Sequence, residues 1–330
     1  MKRLQFFFNY FQQIVVFVVI FLFLYACQSG IQNDDEIAKI PVKIELDRFD
    51  LKFYNHGANV IPKLKRDYPY LFPNQFSDSV WISRQKDSLQ LILQAAVQKV
   101  FQDLTPLEHK ISHLFKHIIF YFPKVKVPHV ITLTNNVDYQ IKTVYSDSLL
   151  LLSLDTFLGS KHHIYEGIPN YIRKELDQKY ILCQIVEKFA SHVIPPLEER
   201  TFLAQMLHEG KKMYLQDLLL PDEAETIKIA YTEEELSWVK ENELYIWKYL
   251  IEHQILYKTD PDLARRLLEP APFSKFYLEL DNQSPGRVGR WIGWQIVRSF
   301  MNQNPKTSAQ ELLRMPSQKL FYLSKYKPKR

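Results

Sequence analysis

An apolar run that stops early constrains this chain more than any other feature. Ile14 to Ala26 are thirteen consecutive apolar residues, preceded by Lys2 and Arg3 and by the polar interruptions Gln5, Asn9, Gln12 and Gln13. A bilayer span needs ~20 such residues, whereas the apolar part of an export signal takes ~7–15. Residues 1–26 therefore read as an export signal; an uncleaved anchor is the alternative, and it leaves the topology of the remainder unchanged. The run ends on Cys27, and beyond it only Cys183 remains, so the residues after Cys27 can form no disulfide among themselves. The 303 residues after Cys27 are enough for one large domain or two ordinary ones, held by their own core.

The ending Leu24-Tyr25-Ala26-Cys27 resembles the lipobox of bacterial lipoproteins, in which the cysteine is lipidated and becomes the new N-terminus. That resemblance implies membrane lipid as a partner through Cys27 and a cell-envelope location, inner or outer membrane undecided. Residues 27–38 then form a lipidated polar tether. Eleven flexible residues, 28–38, reach on the order of 20 Å, which keeps the body, residues 39–330, close to the bilayer.

Removing Lys2 and Arg3 leaves 40 basic against 37 acidic residues, a net charge of +3. Such a balance gives no nucleic-acid footprint. Glycine is scarce, 8 of 330, and neither G-x-x-x-x-G-K-[ST] nor G-x-G-x-x-G occurs, which argues against P-loop and dinucleotide sites. Cys183 sits among Ile181, Leu182, Ile185 and Val186 and reads as a buried, inert thiol.

Alternation predicts a strand over 41–49, and 127–133, 137–145 and 148–154 read as three more. Residues 50–103 read as helical pieces broken by Pro62, Pro69 and Pro73, with Leu89, Leu91, Ile92, Ala95, Ala96 and Val100 as an apolar stripe. A strong helix covers 105–121. After Asp155 the chain reads as almost entirely helical, with candidates at 168–176, 178–193, 199–217, 232–257, 260–268, 285–303 and 307–314. The fold class is α+β, predominantly helical, with a small sheet of about four strands in a single globular body over 39–330.

No complete catalytic constellation is visible. His109, His113 and His117 share a helix face, opposite the apolar stripe, at a spacing that can chelate a metal, but a solvated polar face is the plainer reading. His162-His163, near Asp155 and Glu166, has no recognised mechanism. His208-Glu209-Gly210 lies inside a helix, where glycine costs ~1 kcal/mol and suggests close helix packing. It also resembles the later ligand helix of glutamate-class zinc peptidases, which pair it with an H-E-x-x-H helix. The preceding helix instead carries Glu187-Lys188-Phe189-Ala190-Ser191, with His192 one position off. The resemblance implies a zincin-like fold without its H-E-x-x-H motif, with strand 149–154 as the sheet edge and Glu187, Lys188, Ser191, His208 and Glu209 as a degenerate site. Ser284 to Val297 is the richest segment: Ser284 caps, Pro285 starts a helix, and Gly286, Gly289 and Gly293 open one side. Arg287 and Arg290 near the helix start oppose its macrodipole and call for carboxylates. With Trp291 and Trp294 they are candidates for contact with a partner, although the protein's own core is the plainer neighbour.

The stretches LFKHIIFYFPKVKVPHVITLTNNVDY (114–139), YEGIPNYIR (165–173), RTFLAQMLHEGKKMYLQDLLLPD (200–222) and LEPAPFSKFYLELDNQSPGRVGRWIGWQIVRSF (268–300) resemble GldB-type gliding-motility lipoproteins of the Bacteroidota. The resemblance implies an envelope lipoprotein tied to gliding motility and its secretion machinery, whose proteins are its expected partners. It implies no known reaction. The expectation is a non-catalytic structural or assembly component without metal, cofactor or nucleic acid; the alternative is a metal-dependent envelope peptidase using Glu209 with His162, His163, His192 or His208.

Overall fold

The computed structural model describes residues 34–55, 57–279 and 281–329. The export signal and Cys27 lie outside the described residues. Four short strands, β1 (Leu46–Arg48), β2 (His129–Leu133), β3 (Thr143–Ser146) and β4 (Leu149–Ser153), form one mixed sheet in the order β1-β2-β4-β3. β1, β2 and β4 run parallel and β3 is antiparallel to β4. Each overlaps a stretch expected to be strand, although β3 takes up only the end of 137–145. β4 is not the expected edge but internal, because it pairs with β2 on one side and folds back on β3 around Asp147-Ser148 on the other. Being covered on both faces, β4 reads as an uninterrupted run of leucines rather than an alternation.

Leu150 and Leu152 of β4, with Val130 of β2, face one large core cluster that includes α5 (Thr105–Tyr121) and α7 (Ile181–Val193). Ile131 faces the opposite way, into an aromatic cluster of Phe53, Tyr68, Phe72 and Trp81 supplied by the N-terminal helices. Those helices are α1 (Phe49–Asn55), α2 (Ile61–Asp67), α3 (Asp78–Lys86) and α4 (Ser88–Val100). In α4 the expected stripe is inverted. Leu89, Leu91 and Ile92 are exposed, while Gln90, Leu93, Gln94 and Val97 are buried. Polar partners decide this orientation: Gln90 accepts from Tyr54 Oη at 3.0 Å and donates to Asn136, and Gln94 donates to Asp50 at 3.4 Å.

The two sheet edges are treated differently. Beside β1, Ser112 and Glu108 of α5 accept from the backbone N–H groups of Ile44 and Leu46 at 3.0 and 2.8 Å. At β3, the carbonyl of Lys142 accepts from Ser153, a register that turns the backbone groups of Thr143 and Tyr145 away from β4. No described residue bonds those outward groups.

The C-terminal half is helical. After a single turn, α6 (Asn170–Arg173), come α7, α8 (Phe202–Leu219), α9 (Glu225–Ile229), α10 (Glu233–Glu241), α11 (Glu243–Glu252) and α12 (Asp262–Leu267). The chain closes with α13 (Val288–Gln303), α14 (Ala309–Arg314) and α15 (Ser317–Ser324). The helix expected over 232–257 is interrupted at Asn242, and α9 and α15 were not anticipated. α13 starts later than Ser284-Pro285 suggested: Ser284 is taken up by hydrogen bonds to the backbone of Ser274, and Arg287 adopts a left-handed φ of 65° before the helix begins.

α8 joins two cores. Its N-terminal part packs with α13 in a second cluster containing Trp291 and Trp294, and Leu215 and Leu219 reach the sheet-side cluster. Where α8 crosses α13, the backbones touch. A Cβ on Gly210 would stand 2.3 Å from the carbonyl oxygen of Gly293, and one on Gly293 would stand 2.0 Å from that of Met206. Glycine is required on both sides, so the packing reading of Gly210 holds. Gly210→Ala or Gly293→Ala should each destabilise the fold by about 3 kcal/mol, at the upper end for an overpacked core, because backbone rather than a movable side chain receives the new methyl; denaturant unfolding of the purified variants measures it.

Candidate functional site

A cavity of about 510 Å³ opens between α7, α8, the start of α13 and the segment leading into β3. α7 contributes Cys183, Gln184 and Glu187, which share one face at helical spacing. α8 contributes His208, Glu209, Lys212 and Gln216, and α13 contributes Arg290.

The helices bearing Glu187 and Glu209 do face one another, and two cations stand between their carboxylates. Arg290 donates to Glu187, and its Nε lies 3.6 Å from Glu209. Lys212 Nζ donates to Glu209 at 2.7 Å and lies 3.6 Å from Glu187. Burial would raise the Glu187 carboxyl, but Arg290 and Lys212 overcome it and hold the group below the usual carboxylate range. The Arg290 guanidinium is raised for the complementary reason: burial opposes its charge, and the two carboxylates more than offset that.

A second ion-pair group adjoins the first. Glu175 accepts from Arg287 at 2.5 Å, from Lys142 at 3.2 Å and from Gln184 at 3.3 Å. The left-handed backbone at Arg287 precedes α13, and its side chain reaches this carboxylate, which stands just after α6. A third centre lies farther along α8 and α13, where Asp217 accepts from Arg298 at 2.7 and 2.8 Å, from Trp294 Nε1 at 2.7 Å and from Lys228 at 3.2 Å.

Of the expected degenerate site, Glu187, His208 and Glu209 come together at the cavity. Lys188 and Ser191 do not line it; Ser191 is exposed and donates to the Glu187 carbonyl of its own helix. The demand of Arg287 and Arg290 for carboxylates is met internally by Glu175, Glu187 and Glu209. Contact with a partner through Trp291 and Trp294 is overturned, because both indoles are buried and bonded inward, to Glu243 and Asp217. Lys142, Glu175 and Lys212 were missed, since nothing in their local pattern marks a fold-back across so many residues; Lys212, one turn after Glu209, carried the only hint.

The histidines do not converge. His192 pairs with Asp147 at 2.8 Å, and His162 stacks on His163 away from the cavity. Asp155 is no partner of that pair; it accepts from the backbone of Asn135 and Val137. His117 is buried rather than solvated, and burial lowers its pKa. Burial likewise lowers His208 and pushes the Cys183 thiol up to about 12, which makes it an inert core group.

A family model described as gliding motility protein GldB matches residues 31–328. The chain belongs to that family. Membership brings a relation to gliding motility and lipoprotein character. No helix among the described residues is long and apolar enough to cross a membrane. No curated protein and no solved structure matches the chain.

Glu175 supplies a pH test. Burial alone would raise its carboxyl, but Arg287 and Lys142 hold it at about 2 instead of 4.5. Its folded pKa lies below the unfolded one, so its contribution is complete above the unfolded value and is lost as the pH falls through about 2. That shift corresponds to roughly 3 kcal/mol. Urea unfolding from pH 6 to pH 2, a range of about four units around this shift, should show the loss in the wild type. In Glu175→Gln this slope should flatten, with stability already reduced at neutral pH by about 3–5 kcal/mol because Arg287 and Lys142 lose their carboxylate.

Proposed function

We propose that this protein is an envelope lipoprotein anchored through Cys27, whose folded body serves the gliding and secretion machinery as a structural or assembly component without catalysis. The observation that carries this reading is the pair of fixed cations, Arg290 and Lys212, between Glu187 and Glu209. A glutamate-class zinc site would use two histidines of an H-E-x-x-H helix and one glutamate of a facing helix beside an antiparallel edge strand; in this reading Glu187 and Ser191 stand at the histidine positions and Glu209 at that of the ligand glutamate. In this reading the fold is zincin-like with its ligand set replaced, and a guanidinium supplies the positive charge that a metal would otherwise bring. A cation held covalently cannot leave to bind substrate or present an activated water.

The charge states of the neighbouring groups support the same reading. Glu187 is held ionised by its partners and Cys183 is held protonated by burial, so neither is poised near neutrality as a general base or nucleophile. Function then resides in where the body is held and what it touches. A lipid anchor confines it to the membrane surface and raises its effective concentration toward partners there.

Two measurements test this. Cys27→Ala should move the protein from the membrane to the soluble fraction of lysed cells and abolish its support of motility or secretion; unchanged membrane association rejects the anchor. Elemental analysis of purified full-length protein should find no stoichiometric zinc, and one zinc per chain that is lost in Glu209→Ala rejects the non-catalytic reading.

A further inference from the structure

We propose that a second cavity, at the carboxyl ends of β1 and β2, binds a small aromatic monocarboxylate. It lies apart from the cavity between α7 and α8, and the inference does not depend on how that one is read.

The parallel strands β1 and β2 end at Arg48 and Leu133, and the chain runs on from them into α1 and into Thr134-Asn135. Between these exits and α3 opens a cavity of about 320 Å³. Small-molecule pockets start at roughly this size, and the space beyond the carboxyl ends of parallel strands is where open α/β sheets hold ligands. Its walls are aromatic: Phe49, Phe53 and Tyr54 of α1, Phe72, and Trp81 of α3. Phe72 meets Trp81 edge to face with ring centroids 4.9 Å apart, and Phe53 meets Tyr54 in the same way at 4.9 Å. Such walls favour a flat ring, which can take the edge and offset positions that they leave open.

The polar groups decide what the ring carries. Most of them are already engaged. Asp50, the only carboxylate lining the cavity, accepts from Arg48 at 2.9 and 2.7 Å and from Thr132 at 2.6 Å. Asn135 donates its side-chain amide to the carbonyls of Asp138 and Ile141, and its Oδ1 accepts from the Asp138 amide. Tyr54 Oη is bonded to Gln90 and Thr134. Two donors remain. Trp81 is 9% exposed, and its buried Nε1 has no hydrogen-bond partner. Arg84 is half-buried, donates to Asn136 at 3.4 Å, and forms no ion pair among the described residues. The nearby acids do not answer it: Asp87 caps α4 through the Gln90 amide, and Asp155 accepts from the backbone of Asn135 and Val137.

Trp81 and Arg84 are three residues apart on α3, so they share a face, and both line the cavity. A buried donor without an acceptor is rare, and a free guanidinium fits a planar carboxylate. Two donors beside acceptors that are already bonded select a ligand rich in acceptors and poor in donors. A sugar would bring hydroxyl donors with nothing to receive them. A phosphate ester would bring about two negative charges to a single guanidinium. One carboxylate on an aromatic ring matches the charge, the donors and the walls together.

Equilibrium dialysis of the full-length lipidated protein in lipid nanodiscs, with empty nanodiscs as the blank, tests this with phenylacetate, phenylacetamide, hexanoate, phenyl phosphate and glucose. Phenylacetate should bind, and each of the others should bind about tenfold more weakly or worse. Arg84→Gln should bring phenylacetate down to the level of its amide. Trp81→Phe keeps the aromatic wall, removes the donor, and should weaken phenylacetate severalfold. Thermal unfolding checks that both variants fold; if either does not, the comparison of probes on the wild type decides. Equal binding of acid and amide, a match by hexanoate, phenyl phosphate or glucose, an unchanged preference in folded Arg84→Gln, or no binding of phenylacetate at millimolar concentration overturns the proposal.

Discussion

The backbone contact between α8 and α13 at Gly210 and Gly293 sets the geometry of everything around it. Side chains normally hold packed helices 8–10 Å apart. Here glycine faces glycine, and the missing Cβ atoms let main chain meet main chain. Glu209 immediately precedes one glycine and Arg290 lies three residues before the other. The register of the crossing therefore decides that a carboxylate of α8 and a guanidinium of α13 occupy the same few ångströms. A third glycine, Gly289, would drive a Cβ to 2.9 Å from the Leu268 side chain, so the start of α13 is also held close to the segment after α12.

The charges make this arrangement specific. Burying isolated ions costs several kcal/mol each, and pairing recovers that cost only when geometry and hydrogen bonding are complete. α13 carries two such points: Arg290 donates to Glu187, with its Nε 3.6 Å from Glu209 and not hydrogen-bonded, and two turns later Arg298 grips Asp217 more completely while its guanidinium lies 3.8 Å from the Trp294 ring centroid. A sliding of α13 by one residue would break both points at once, whereas apolar packing between the same helices would tolerate many near-equivalent registers.

What the sequence disclosed follows from how local each signal was. The four strands were legible because β-patterning is written within each segment, and Gly210 and Gly293 were legible because glycine in a helix costs stability and needs a neighbour to justify it. Arg287 and Arg290 announced their carboxylates through the helix dipole. Which carboxylates answered was hidden, since Glu175 and Glu187 lie more than a hundred residues away in the chain. The stripe of α4 failed for a related reason: counting apolar residues favoured Leu89 and Ile92, but Gln90 and Gln94 had hydrogen-bonding partners in Tyr54, Asn136 and Asp50 that only the fold assembles. Trp291 and Trp294, counted as possible contact surface, were claimed by buried acceptors for the same reason.

Stability and chemistry compete within the cavity. A catalytic group works best when its pKa lies near the working pH, which means that its charged and neutral forms must be of similar energy in the folded protein. The network around Glu175 and Glu187 does the reverse, because every added cation deepens the preference for one protonation state. The gain in folding energy is therefore a loss of proton-transfer capacity in the same atoms. A surface under such constraint still keeps shape and directional donors, which are properties that recognition uses. On the reading proposed above, such a cavity would hold a partner in place rather than transform it, and the proposed lipid tether would remove most of the search in three dimensions.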